Sequence, residues 1–96
     1  MSYLLEFHRE ALKEWRRLDV GIARRLKTKL RIRLNDPLVP SSRLAGNLAN
    51  CFKIRDLESG YRLVYLVDST RSVLFVLAVA KRENLAVYNL ASRRKP

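Results

Sequence analysis

The sequence predicts an α+β domain with elements in the order β-α-α-β-β-β-α, its mainly antiparallel sheet packed against an αα-hairpin and a C-terminal helix. Three observations predict it. Apolar residues recur at helical spacing from Ala11 to Leu34, they alternate or run together from Cys51 to Ala80, and they return to helical spacing from Leu85 to Ala91. With 96 residues and 48% hydrophobic content, the chain supports one core and one domain over residues 1–96.

Tyr3 to Phe7 is short and apolar-rich, and reads as a strand. From Glu10 the period changes: Ala11, Leu12, Trp15 and Leu18 share a helix face, with Lys13, Glu14, Arg16 and Arg17 between them. Asp19-Val20-Gly21 predicts a break. A second helix carries Ile22, Leu26, Leu30 and Leu34 as one stripe and ends at Asp36-Pro37, because the residue before proline is pushed out of the helical region. Leu38 to Asn50, with Pro40, the paired serines Ser41 and Ser42, Gly46 and two asparagines, reads mostly as loop. Three strands follow, over Cys51 to Asp56, Tyr61 to Asp68 and Val73 to Ala80. The last is apolar on both faces and predicts a buried central strand. The final helix is expected from near Glu83, with Leu85, Tyr88 and Ala91 on one side and a frayed basic tail of Arg93, Arg94 and Lys95.

Charge narrows the function. Lys and Arg number 20 against 9 Asp and Glu, a formal net charge of +11. A small domain this basic calls for a polyanionic partner or an acidic binding protein, nucleic acid before an anionic membrane surface. The apolar run Val73 to Ala80 is too short to span a bilayer and the N-terminus lacks a signal pattern, so no membrane partner is expected. Cys51 is the one cysteine, which excludes an intrachain disulfide and suits a reducing cytoplasm. Its thiol and the single His8 have no sequence feature that pairs them, and both read as structural.

The hairpin carries the chemistry. A four-residue connection, Leu57 to Gly60, sets Asp56 opposite Tyr61, Arg55 opposite Arg62, Ile54 opposite Leu63 and Phe52 opposite Tyr65. A two-residue Ser59-Gly60 loop assigns the same faces, because only loop parity matters, whereas a three-residue loop with a bulge would break the assignment. Lys53, Arg55 and Arg62 then share one side. One lysine there would read as an edge-blocking charge. Three facing cations destabilise the pair unless an anion joins them. Lys81 and Arg82 follow the central strand and read equally as anion ligands or as a pair snorkelling beside an apolar strand. Tyr88 is either a core aromatic, or a ring placed to stack on a base or a phenol that orients a phosphate. The second helix adds Arg24, Arg25, Lys27, Lys29, Arg31 and Arg33 with no acid among them, which predicts contacts to a phosphate backbone. No phosphate-binding glycine loop, Cys/His spacing or carboxylate cluster is present in the sequence, so neither a metal nor another cofactor is expected.

These residues resemble the RelE toxins of bacterial toxin–antitoxin pairs over nearly the whole chain. The likeness runs through Ala11-Leu12-Lys13-Glu14-Trp15-Arg16, the Leu44 and Gly46 region, Cys51-Phe52-Lys53-Ile54, Ser59-Gly60-Tyr61-Arg62-Leu63-Val64-Tyr65, Lys81-Arg82-Glu83 and Val87-Tyr88. The resemblance implies a RelE-like fold akin to microbial ribonucleases. It implies cleavage of mRNA in the ribosomal A site by attack of a ribose 2′-hydroxyl on the adjacent phosphate. It also implies neutralisation by a RelB-like antitoxin, through which the pair reaches operator DNA and represses its own operon. By matching position, Lys53 is a candidate base or charge stabiliser, Arg62 a phosphate-stabilising arginine, Arg82 a stabiliser of the leaving group or transition state, and Tyr88 a residue that stacks on or orients the substrate. By the same resemblance, Arg55 stands where the well-known member of the family has a second lysine; arginine stays protonated and suits a two-pronged grip on phosphate rather than proton abstraction. The alternative is a ParE-like toxin, which shares the architecture, inhibits DNA gyrase and cuts nothing; the combination of Lys53, Arg62, Arg82 and Tyr88 favours the nuclease.

Overall fold

The computed structural model describes residues 2–81 and 86–96. Strand β1 (Leu4–Phe7) leads into helix α1 (Arg9–Arg16) and then α2 (Val20–Asn35). Two short 3-10 turns, Pro40–Ser42 and Gly46–Leu48, cross to β2 (Cys51–Arg55), which is followed by β3 (Tyr61–Asp68), β4 (Val73–Lys81) and α3 (Ala86–Arg94). The predicted start of the last helix near Glu83 lies outside the described residues.

Local chemistry sets the boundaries. His8 caps α1, its Nδ1 accepting from the Glu10 amide at 3.1 Å, so the single histidine has a structural task. Asp19 caps α2 by accepting from the Gly21 amide at 3.1 Å. This corrects the bounds of the expected break at Asp19-Val20-Gly21: the connection between the helices is Arg17 to Asp19, and Val20 and Gly21 already belong to α2. The helix stops at Asn35, ahead of Asp36-Pro37. Gly60, with φ 79°, closes the β2–β3 turn by donating its amide to the Asp56 carbonyl at 2.9 Å.

The sheet order is β1-β4-β3-β2, with β1 parallel to β4 and the other pairs antiparallel. The hairpin register is the one parity requires: Arg55 opposite Arg62, Ile54 opposite Leu63 and Phe52 opposite Tyr65. Each face of the sheet carries its own core. On one, Leu26 and Leu30 of α2 and Ala11 of α1 meet Phe52, Ile54, Leu63, Tyr65 and Val76. On the other, Val87 and Ala91 of α3 meet Cys51, Val64, Leu77 and Ala78. Cys51 is fully buried and its thiol pKa is pushed up by that burial.

β4 bulges where its pairing with β3 steps from Val64–Ala78 to Tyr65–Val76. Here two charged residues do backbone work. Glu14 accepts the Val79 amide at 3.0 Å, and Arg94 donates to the Leu77 carbonyl at 2.9 Å. Arg94 also forks onto both Glu14 oxygens at 2.9 Å. The expected frayed tail is thus corrected at Arg94, which ties the end of α3 to α1 across the sheet.

Candidate functional site

Site geometry starts from strand parity. Lys53, Arg55 and Arg62 leave β2 and β3 on the side of the sheet that α3 covers, because their neighbours Phe52, Ile54 and Leu63 fill the opposite core. Arg55 is exposed; Lys53 and Arg62 are half-buried. The like charges of Arg55 and Arg62, directly opposite across the pair, are eased by Tyr88. Arg62 Nη1 donates to the Tyr88 hydroxyl at 2.6 Å, with the guanidinium carbon 5.9 Å from the ring centre. Tyr88 reaches this position because Val87 and Ala91, on the neighbouring side of α3, are buried in the core below. One β-hairpin and one helix therefore bring four predicted residues, Lys53, Arg55, Arg62 and Tyr88, to one side of the molecule. Arg82 lies outside the described residues.

Lys81 goes elsewhere. It pairs with Tyr61 at the end of β4 and lines a cleft with Glu14, Arg17, Leu18 and Val79. That cleft is on the α1 side, across the sheet from Arg62 and Tyr88.

The basic face predicted for α2 is divided in two by tertiary contacts. Arg24, Lys27 and Arg31 stay exposed on the outer side. Arg25, Lys29 and Arg33, at four-residue intervals, turn inward to β2. Arg25 forks onto Asp56, Nε to Oδ1 at 2.8 Å and Nη2 to Oδ2 at 2.9 Å, and also meets Glu58 at 3.0 Å. Asp56 is 3% exposed, and the Arg25 guanidinium holds its carboxyl well below the usual carboxylate range. Lys29 donates to the Arg55 carbonyl. Arg33 Nη1 donates to the Lys53 carbonyl at 3.2 Å and to the Tyr65 hydroxyl at 3.0 Å, while Nη2 donates to Ser42 Oγ at 3.0 Å. The prediction of six phosphate contacts thus meets a structure in which three of the cations already hold acceptors inside the protein. The signal in the sequence was their spacing: residues 25, 29 and 33 form a ridge along one flank of the helix.

Lys29, Arg33, Lys53 and Arg55 also line a cleft of about 450 Å³ between α2 and β2, with Ser41, Ser42 and the apolar Ile32 and Leu57, and no carboxylate. Chemically, the arrangement offers fixed positive charge and hydrogen-bond donors to an anion. Such groups stabilise negative charge that builds during reaction, provided they are already in place. Among the described residues no three His, Cys, Asp or Glu side chains gather where they could hold a metal ion.

Comparison with known proteins places this fold and site in a class. The family described as the ParE toxin of the type II toxin–antitoxin system, parDE, matches residues 5–86, and the chain belongs to it. Within that class its relatives are of the RelE kind. The chain is 44% identical over 94 residues to the mRNA interferase toxin RelE of Escherichia coli strain K12, with 98% of each chain covered. It superposes on the free E. coli RelE toxin, in a doubly substituted form, with a TM-score of 0.91 and 42% identity over the full length of both chains. The RelE chain of the intact E. coli RelBE toxin–antitoxin complex matches with a TM-score of 0.83 and 42% identity, covering 86% of this chain and 100% of that one. The RelE-like α+β fold expected from the sequence is borne out, and the protein is the toxin component of a type II toxin–antitoxin system.

Proposed function

We propose that this toxin is a metal-independent endoribonuclease that cleaves mRNA in the ribosomal A site, with Lys53, Arg55, Arg62, Arg82 and Tyr88 as its catalytic set. The observation that carries the reading is the Arg62–Tyr88 hydrogen bond beside Arg55, on the same side of the sheet as Lys53. Identity to an mRNA interferase over nearly the full length supports the reaction type.

In this mechanism the ribose 2′-hydroxyl loses its proton and its oxygen attacks the adjacent phosphorus. The bond to the 5′-oxygen breaks, and that oxygen takes up a proton. Lys53 is the side chain suited to the first proton transfer, since Arg55 stays charged through the working pH range. Arg55 and Arg62 stabilise the extra negative charge on the phosphorane. Tyr88 aims the Arg62 fork and offers its ring to a base, and Arg82 stabilises the departing oxygen. Cations alone do not hold RNA in the in-line geometry. The ribosome supplies that orientation, a contribution of several kcal/mol. The exposed Arg24, Lys27 and Arg31 contact ribosomal RNA phosphates, with Lys81 as a further contact from the opposite side.

A RelB-like antitoxin is the neutralising partner, as the RelBE complexes of relatives suggest, and a net charge of +11 suits an acidic segment that folds onto the toxin. Operator DNA is reached through the antitoxin, and the site of action is the cytoplasm. The ParE description of the family model keeps gyrase inhibition as the second reading. One experiment separates them: the purified toxin is incubated with naked mRNA, with programmed ribosomes, and with gyrase and plasmid. Cleavage confined to ribosome-bound mRNA supports the proposal. Equal cleavage of naked and bound mRNA refutes ribosome dependence, and trapped gyrase–DNA cleavage complexes without mRNA ends reverse the choice.

A further inference from the structure

β2 is the edge strand of the sheet, with β3 as its one neighbouring strand and a single bridge between Phe52 and Arg43 on its other side, and it carries two of the proposed catalytic cations. An edge strand left open is a place where pairing frays and geometry loosens. The outward-facing carbonyls of β2 are nevertheless occupied in sequence. The Cys51 carbonyl accepts the Leu44 amide at 2.9 Å. The Lys53 carbonyl accepts Arg33 at 3.2 Å, and the Arg55 carbonyl accepts Lys29. A loop amide and two helix cations thus stand in for the missing neighbouring strand.

The fit is geometric. Successive outward carbonyls of a strand are two residues, or about 6.8 Å, apart. Side chains four residues apart on a helix are about 6.0 Å apart along its axis. Donors at 29 and 33 are therefore almost commensurate with acceptors at 55 and 53, with α2 running opposite to β2. Arg33 does more than match the spacing: its fork also binds the hydroxyl of Tyr65, a fully buried residue of β3 whose own hydroxyl donates to the Pro37 carbonyl at 2.7 Å. Arg33 therefore ties helix, edge strand, inner strand and loop together at Lys53.

We infer that Lys29 and Arg33 are positioning residues that orient Arg55 and Lys53 toward the scissile phosphate, rather than ligands of RNA. Each fixes the peptide plane next to the Cα from which a reacting cation extends. The inference rests on the proposed catalytic role of Lys53 and Arg55.

Methionine at either position keeps most of the aliphatic stem and removes the donor. Single-turnover cleavage by full-length toxin, measured against ribosome concentration, separates orientation from binding. Lys29→Met and Arg33→Met are expected to lower the saturated rate by about tenfold to a hundredfold, the scale set by a misplacement near 1 Å, with an unchanged half-saturating ribosome concentration. Lys29→Arg, which keeps a donor, is expected to cleave at the wild-type rate. A raised half-saturating concentration with an unchanged saturated rate overturns the inference, since that is the signature of lost phosphate contacts. An equal loss in Lys29→Arg and Lys29→Met overturns it as well. Lys29 is exposed, so its variants keep the test decisive if Arg33→Met does not fold. Lys53→Ala distinguishes the two levels of the argument: full activity there defeats the site itself, whereas loss there with wild-type rates in Lys29→Met and Arg33→Met defeats only the positioning role.

Discussion

The guanidinium of Arg62 and the phenol of Tyr88 meet at 2.6 Å across the gap between the central sheet and the C-terminal helix. The bond couples a residue fixed by strand register to one fixed by helix docking. Neither element alone would place the pair.

Tyr88→Phe removes the acceptor and keeps the ring. A hydrogen bond to a charged group is worth about 1.5–3 kcal/mol, so if it acts mainly in the transition state the saturated cleavage rate on programmed ribosomes falls about tenfold to a hundredfold. Tyr88→Ala should lose more, because the stacking ring goes too. A phenylalanine variant that cleaves at the wild-type rate shows that the hydroxyl has no part in aiming Arg62.

The Arg25–Asp56 pair makes stability depend on pH. The Asp56 carboxyl is held below its ordinary range when folded, so its stabilisation is fully present above the unfolded pKa, about 3.9, and is lost as pH falls through the folded pKa. Asp56→Asn removes this charge and should be less stable than wild type at neutral pH. The gap between them should narrow progressively as pH drops below about 4. Urea denaturation of both proteins at neutral and strongly acidic pH measures it. A gap that stays constant down to the lowest pH would show that the asparagine variant suffers from altered packing rather than lost charge.

Arg94 and Glu14 hold α3 against the bulge of β4, with side chains 13% and 21% exposed. Removing one partner of such a pair costs about 3 kcal/mol. Arg94→Met should therefore speed amide exchange in α3 by about a hundredfold. Amides of β3 should change less if α3 opens on its own. Unchanged exchange between Val87 and Ala91 would mean that the apolar contacts of α3 hold it without the ion pair.

Arg55→Lys exchanges one cation of the proposed site for another of different proton chemistry. Lysine keeps the charge and adds a group able to take up a proton near neutrality when crowded by other cations. Cleavage by this variant should equal or exceed that of wild type in the ribosome assay. Complete loss would mean that the two-pronged grip of arginine on phosphate is required here.

Much of this arrangement was legible in the chain. The element order, the central place of β4 and the faces of the β2–β3 hairpin follow from hydrophobic period and loop parity, because burial has a period of two in a strand and near four in a helix. Lys53, Arg55 and Arg62 could be put on one side by counting alone. What counting missed were contacts between residues far apart in sequence. Asp56 read as the end of a strand, yet it anchors Arg25 from 31 positions away. Arg94 read as part of a frayed tail, yet its partner Glu14 lies 80 positions away. Their burial depends on how helices dock, which no local pattern encodes.

The sequence by itself determined the class of fold, the basic character and, for an even-numbered connection, the side of the hairpin on which its cations stand, since side chains alternate along a strand. Only the tertiary structure decided which cations remain available to a partner. A helix surface has no intrinsic inside beyond its apolar stripe. The flank holding Arg25, Lys29 and Arg33 gained partners when it docked along the edge of β2, where the Asp56 carboxylate and two strand carbonyls required donors. The flank holding Arg24, Lys27 and Arg31 had no such acceptors to meet and stayed in solvent.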